Sequence, residues 1–309
     1  MKTDGQSNLK SILSGGGFAV TAECGPPRGA DSAIIRKKGE LLKGSVDAVN
    51  VTDNQTAVVR MSSLAACVHL IEIGIEPVMQ MVTRDRNRIA LQSDIMGAYS
   101  LGIRNLLCLS GDHQSLGSQP ESMNVFDIDS VNLVHAVRVM RDEGKDMSGF
   151  VLNGAPEMFI GAAENPFADP IGYRVVRLAK KIDAGVDFIQ TQCVYNLPRF
   201  KEWMRQAREE GLTEKVYIMA GLTPLKSARM AQFMATKVAG MDVPKEIIDR
   251  MSAFTGQKAI EEGMKIALET IAEVKSIQGV RGIHIMAIDA EERVPELVKT
   301  AGLSPRSAK

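Results

Sequence analysis

Along the chain, short runs rich in β-branched and other apolar residues alternate with longer segments whose apolar positions recur at three-to-four spacing. The first pattern is strand-like and the second helical, so the chain reads as repeated βα units. Strands are predicted near 18–24 (FAVTAEC), 47–52 (DAVNVT), 77–82 (PVMQMV), 105–109 (NLLCL), 149–153 (GFVLN), 187–192 (DFIQTQ), 215–220 (KVYIMA) and 282–287 (GIHIMA). Gly74, Gly102, Gly185 and Gly211 each follow a helical stretch, and a strand resumes within a few residues. Glycine just past a helix end takes the left-handed conformation that closes the helix and turns the chain back. Eight such units with short returns predict an α/β fold, a single (β/α)8 TIM barrel over residues 1–309. An open doubly wound sheet is the other arrangement, but it presents phosphate-binding glycines right after its first strand. Here that turn is Cys24-Gly25-Pro26-Pro27-Arg28. Gly15-Gly16-Gly17 precedes the first strand and reads as a flexible connector, while 113–125 (HQSLGSQPESMNV) reads as a long βα loop of the kind that builds barrel active sites.

In a barrel the carboxyl ends of the strands face the mouth, so the informative positions are those where polarity breaks the apolar strand pattern. The first strand ends in Glu23, the second in Thr52-Asp53, the third in Gln80 and Thr83, the fourth in Ser110-Gly111-Asp112, the fifth in Asn153 and the sixth in Gln190-Thr191-Gln192. Glu23 has two readings, a salt bridge to nearby Arg28 or a carboxyl group suited to general-acid work near neutral pH. Asp112 reads as a turn cap or as a ligand contact after a glycine that admits close approach. Gln192 can donate and accept, which suits the edge of a heteroaromatic ring; a buried amide bonded to backbone is the alternative. Lys181 lies late in a helix, where it favours the dipole or reaches a phosphate.

Charge narrows the partners. Lys+Arg 37 against Asp+Glu 37 leaves net charge zero, with no electrostatic footprint for nucleic acid or an anionic membrane. No apolar run is long enough to span a membrane and the N-terminus lacks a signal-peptide core, so a cytoplasmic location is expected. Cys24, Cys67, Cys108 and Cys193 form no C-x-x-C pair, and His69, His113, His135 and His284 show no metal-ligand spacing. Reduced, inert thiols and no metal centre are expected. The 17 methionines read as core filler. Arg84-Asp85-Arg86-Asn87-Arg88 opens a helix and reads as a solvated face of mixed charge, or as a phosphate or partner contact.

Taken in order, AECGPPRG, the strand ending VTD, LLCLSGDH, DAGVDFIQTQ and IMAGLTPL resemble the methylenetetrahydrofolate reductases, over roughly residues 18 to 300. The resemblance implies a (β/α)8 barrel with a non-covalent flavin, FAD or alternatively FMN, that passes hydride to the folate methylene carbon in one-carbon metabolism. It gives Glu23 the role of general acid, Asp112 a place near flavin and pterin, and Gln192 a hydrogen bond to the pterin. By the same matching the flavin contacts are Thr52, Gln80, Leu109, Ser110, Gly111, Asp112, Asn153, Ala155 and Lys181. The chain also departs from the family: Gln80 stands where a histidine is usual, Ser110 where an arginine is usual, and Ala228 where nicotinamide users carry a phenylalanine. Ile288-Asp289-Ala290, with Arg293 nearby, replaces the motif that supplies a folate-binding arginine. These departures imply weakened direct use of NAD(P)H, with a partner redox protein as donor and the chain an oligomer or complex subunit. A pterin-binding methyltransferase barrel would use strand-end Asp and Gln similarly.

Overall fold

A computed structural model of the chain describes residues 5–238 and 240–306. Eight parallel strands close into a barrel in chain order. They are β1 (Ala19–Cys24), β2 (Ala48–Val51), β3 (Pro77–Val82), β4 (Asn105–Leu109), β5 (Phe159–Glu164), β6 (Phe188–Cys193), β7 (Tyr217–Leu222) and β8 (Val280–Ile285), and β8 pairs back onto β1 through Ala19↔Gly282 to Ala22↔Ile285. Outside the barrel lie α2 (Ser32–Leu42), α3 (Ser63–Glu72), α4 (Arg88–Ser100), α5 (Ser130–Asp142), α6 (Arg174–Ala184) and α7 (Leu197–Glu209), one after each of the first six strands. Three helices, α8 (Ala228–Lys237), α9 (Lys245–Ser252) and α10 (Gly256–Ser276), separate β7 from β8, and α11 (Val294–Thr300) follows β8. Among the described residues no helix is long and apolar enough to cross a membrane.

Local chemistry sets the element ends. Asp31, Ser62, Asn87, Asp129, Asn196 and Ser227 each accept a backbone N–H from the first turn of the helix that follows, satisfying donors a helix cannot satisfy itself. At the other ends Gly74, Gly102, Gly185 and Gly211 have φ of +78°, +94°, +108° and +64°, as their placement after helices predicts.

The fifth strand is the main correction. Residues 149–153 are not in the barrel: this segment folds back on itself through one antiparallel bridge, Lys145↔Val151. The Asp146 carboxylate accepts from the N–H groups of Ser148 and Phe150 and pins that turn. The true β5, FIGAAE, lies ten residues on and is built from small residues because it has a large neighbour. A Cβ on Gly161 would stand 2.3 Å from the Phe188 ring, so a branched side chain has no room there. The glycine run 15–17 is also more ordered than a flexible connector. It ends an unforeseen helix, α1 (Asn8–Ser14), with Gly17 N–H donating to Ile12 C=O at 2.9 Å and Gly16 at φ +84°.

Helix α1 lies across the amino-terminal end of the barrel. Its Leu9 and Leu13 pack with Val78, Leu107, Phe159, Phe188 and Met219 from the strands. Among the described residues the carboxyl-terminal end carries no such plug.

Candidate functional site

At the carboxyl ends of the strands a cleft of about 470 Å³ opens, within the size range of small-molecule sites. Glu23 from β1, Gln80 from β3, Leu109 and Ser110 at the end of β4, Asp112 just beyond it, Gln192 from β6 and Lys181 from α6 all line it. Seven residues singled out in the sequence thus meet in one place.

Glu23 is half-buried, and among the described residues it forms no ion pair with Arg28, which is exposed. Its neighbours are instead Gln80, whose Nε2 donates to Oε2 at 3.4 Å, and His284, whose Nε2 lies 3.9 Å from the same oxygen. Asp112 is exposed at the cleft, and its backbone C=O accepts from Arg84 Nη1 at 2.9 Å. Gly111 has φ +87°, and a Cβ there would meet Val82 at 3.0 Å, so the turn that presents Asp112 requires glycine. Gln192 is half-buried, with Oε1 accepting from the N–H of Cys193 at 3.0 Å, which leaves its amide NH₂ available to a ligand. Thr52 is buried at the end of β2 with its hydroxyl unpartnered.

Two expected contacts lie elsewhere. Asn153 and Ala155 belong to the return from α5 to β5, at the end of the barrel opposite the cleft, because the strand that was to carry them starts later. Lys181 lines the cleft but is not a free cation: its Nζ pairs with Glu164 Oε2 at 2.6 Å, with both side chains almost wholly buried. Burial, opposed by Glu164, holds its ammonium below the usual lysine range, and Arg177 and Arg174 push it the same way. The 84–88 run is solvated at Asp85, Asn87 and Arg88, but its charges are paired. Arg84 is buried, ties Asn54 C=O to Asp112 C=O and pairs with Asp85; Arg86 pairs with buried Asp53 at 2.7 Å; and Arg88 pairs with Asp127. These cations lock the strand-end loops together, which leaves no free charge for a phosphate.

Several cleft residues have no counterpart among the sequence candidates. Arg174 and Arg177 line the cleft without a carboxylate partner among the described residues, and with Lys181 they occupy one face of α6 at i, i+3 and i+7. That spacing is readable in the sequence; their place at the mouth is not, once β5 is set ten residues too early. His284 is buried, and metal-ligand spacing is the wrong test for it: its inward position on β8 is the signal that places it at the site. The thiols behave as expected: burial pushes Cys24 and Cys193 up to about 12, so neither is a nucleophile at neutral pH.

A sequence model of the family described as methylenetetrahydrofolate reductase matches residues 8–302. A Caenorhabditis elegans protein named probable methylenetetrahydrofolate reductase (NADPH) is 23% identical over 252 residues, 81% of this chain and 36% of its own length. The 5,10-methylenetetrahydrofolate reductase of Pectobacterium carotovorum subsp. carotovorum is 22% identical over 76% of this chain and 73% of its own. The chain spans about a third of the length of the first curated relatives it matches. Among solved structures, an uncharacterized Clostridium thermocellum protein that binds two copies of 5-methyl-5,6,7,8-tetrahydrofolic acid superposes with TM-score 0.63 at 15% identity, over 96% of this chain and 100% of that one. A 2,3-dimethylmalate lyase follows with TM-score 0.52 at 12% identity, over 98% and 86%. The barrel is thus a shared fold, and the match along almost the whole chain makes this protein a member of the methylenetetrahydrofolate reductase family.

Proposed function

We propose that the chain interconverts 5,10-methylenetetrahydrofolate and 5-methyltetrahydrofolate with a bound flavin nucleotide, FAD or FMN, and that Glu23 is the general acid. The observation that carries this reading is the convergence of Glu23, Asp112 and Gln192 on one cleft from β1, β4 and β6. A pterin ring needs in-plane donors and acceptors, which Gln192 and Asp112 offer, and opening of the folate five-membered ring needs one proton, which a half-buried carboxyl can give. The 5-methyl-5,6,7,8-tetrahydrofolic acid that the Clostridium thermocellum protein binds, in the same fold, agrees with such a substrate.

The residues present fit a phosphate-bearing cofactor. Arg174 and Arg177 are cations without carboxylate partners at the cleft, suited to phosphate oxygens. The Thr52 hydroxyl, buried at the end of β2 without a partner, is a further polar group at this end of the barrel. A flavin bound there would supply the hydride chemistry. The chain's own part is to orient substrate against it, with Gln192 and Asp112 on the pterin, and to deliver a proton from Glu23. Relatives named for NADPH and NADH both occur. Ala228 starts α8 and packs against the buried cluster with Tyr195 and Leu225; the resemblance puts an aromatic ring of nicotinamide users at this position, and alanine here favours a partner redox protein as donor.

The test begins with the absorption spectrum of the purified chain, expected to carry flavin bands. Anaerobic 5-methyltetrahydrofolate should bleach them, reduced viologen should serve as donor better than NADH, and Glu23→Gln should abolish the folate step while leaving chemical reduction of the flavin intact. A colourless protein that moves a methyl group without redox change would establish the methyltransferase barrel instead.

A further inference from the structure

We infer that His284 is a positioning residue for Glu23, held in the Nε2–H tautomer by three buried side chains that cross the barrel interior. The inference rests on the reading of Glu23 as the proton donor.

Thr21, Asn50, Gln190 and His284 come from β1, β2, β6 and β8, and all are 3% exposed or less. Barrel interiors ordinarily hold branched apolar residues in such layers, so four polar side chains there must satisfy one another. The donors can be followed one at a time. Asn50 Nδ2 donates to Gln190 Oε1 at 2.7 Å, and Gln190 Nε2 donates back to Asn50 Oδ1 at 3.1 Å. The second hydrogen on Gln190 Nε2 goes to Thr21 Oγ1, also at 3.1 Å. Thr21 thus accepts from the amide and keeps its hydroxyl hydrogen, and with His284 Nδ1 2.9 Å away we assign that hydrogen to Nδ1. An Nδ1 that accepts leaves the proton of a neutral imidazole on Nε2. That nitrogen points at Glu23 Oε2 across 3.9 Å, too long for a direct hydrogen bond and short enough for one bridging water or a small swing of the carboxylate.

The groups that face Glu23 are His284 from β8 and Gln80 from β3; the buried thiols Cys24 on β1 and Cys193 on β6 feel its charge. Neither imidazole nor amide needs a charge to play its part. Two neutral donors aim the carboxyl group without the strong pull of an ion pair, which would hold it deprotonated. When the Glu23 proton moves to a folate nitrogen, the carboxylate left behind is received by Nε2–H and by the Gln80 amide; His284 keeps its own proton throughout.

Nitrogen-15 NMR of the imidazoles reads the tautomer directly, with His284 assigned by its loss in His284→Gln. The parent is expected to show Nε2–H, and Thr21→Val to lose that preference. In single-turnover folate reduction, His284→Phe should slow the folate step by about tenfold to a hundredfold. It should also move the decline of that step to higher pH, because a carboxylate without its donor holds a proton more readily. His284→Gln, which puts an amide N–H near the place of Nε2–H, should restore most of the rate. An Nδ1–H signal in the parent overturns the inference, as does a folded His284→Phe variant with an unchanged pH profile. Parent protein that binds flavin but leaves folate unreduced counts against the proposed function, while the tautomer spectrum still decides the hydrogen-bond chain.

Discussion

The two ends of the barrel are made by the same eight strands and treat polar groups in opposite ways. At the amino-terminal end a carboxylate and the caps around it are paired within the chain. The Glu76 carboxylate accepts from Asn8 N–H at 2.6 Å, Leu9 N–H at 2.9 Å and Asn105 Nδ2 at 2.9 Å, and Ser7 caps α1 through Lys10 N–H. Behind this rim Phe159 and Phe188 stack with centroids 4.9 Å apart. At the carboxyl-terminal end, Arg174 and Arg177 have no carboxylate partner among the described residues, and the Thr52 hydroxyl is buried without one. A buried polar group without a partner costs free energy, so it persists where something other than the fold retains it. The lesson is that a paired carboxylate network marks the end built for stability, and cations without carboxylate partners mark the end that faces a ligand.

The largest stability effect is expected at the closed end. Phe188→Ala removes the ring that fills the space over Gly161 and should lower unfolding free energy by about 4 kcal/mol in a denaturant titration. Folate and flavin affinity of the folded fraction should hold. Glu23→Gln should do the reverse, losing the folate step with little change in the midpoint. If the two variants failed alike, the division between the ends would be wrong.

Lys181 tests the boundary, because it lines the cleft yet is partnered like a residue of the closed end. Lys181→Met strands Glu164 buried and unpaired and should cost about 3 kcal/mol. The double change Lys181→Met with Glu164→Leu should recover much of that loss, read from the same titration. A phosphate-binding lysine would instead show mainly a drop in cofactor affinity, with the double variant no better than the single.

Stability should also fall at alkaline pH. In the unfolded chain the thiols of Cys24 and Cys193 ionise from their ordinary 9.0, while in the fold burial first of all, with nearby Glu23 adding to it, keeps both protonated up to about 12. A raised thiol pKa gives stability that is complete below pH 9.0 and is lost as pH rises towards 12. The slope is about 1.4 kcal/mol per pH unit for each thiol. Thermal melts of Cys24→Ala across that window should be flatter by one thiol. Equal slopes would mean that Cys24 opens to solvent.

How far the sequence carries these conclusions depends on what local pattern can encode. Seven strands are legible because runs such as PVMQMV and NLLCL pair β-branched or apolar content with flanking turn residues, and the four helix-ending glycines announce the returns. The fifth escapes because FIGAAE is shaped by Phe188, a residue far along the chain, and its small side chains weaken the strand pattern. That one slip misplaces Asn153 and Ala155 and hides Glu164, Arg174 and Arg177. Glu23, Asp112 and Gln192 sit on strands whose pattern is plain, and they stand out. His284 needs the register across β1, β6 and β8 before its role can be seen, since no neighbour in sequence completes its hydrogen bonds.

The smallest effect should come from the rim of the closed end. The Ser7 hydroxyl accepts the N–H of Lys10 at 2.9 Å and meets Asn105 Oδ1 at 2.5 Å, while its own backbone C=O starts the hydrogen bonding of α1. Ser7→Ala removes the cap and the hydroxyl donor to Asn105, and should cost about 1 to 2 kcal/mol. Helix α1 has only seven residues and cannot stand without tertiary support, so the loss should loosen Leu9 and Leu13 over the barrel floor. Hydrogen exchange should quicken in α1 and at the start of β1, with protection around Glu23 and Gln192 at the other end unchanged. Exchange that quickened equally at the cleft would mean that the two ends are one cooperative unit, and that the partnered and unpartnered polar groups share a single stability.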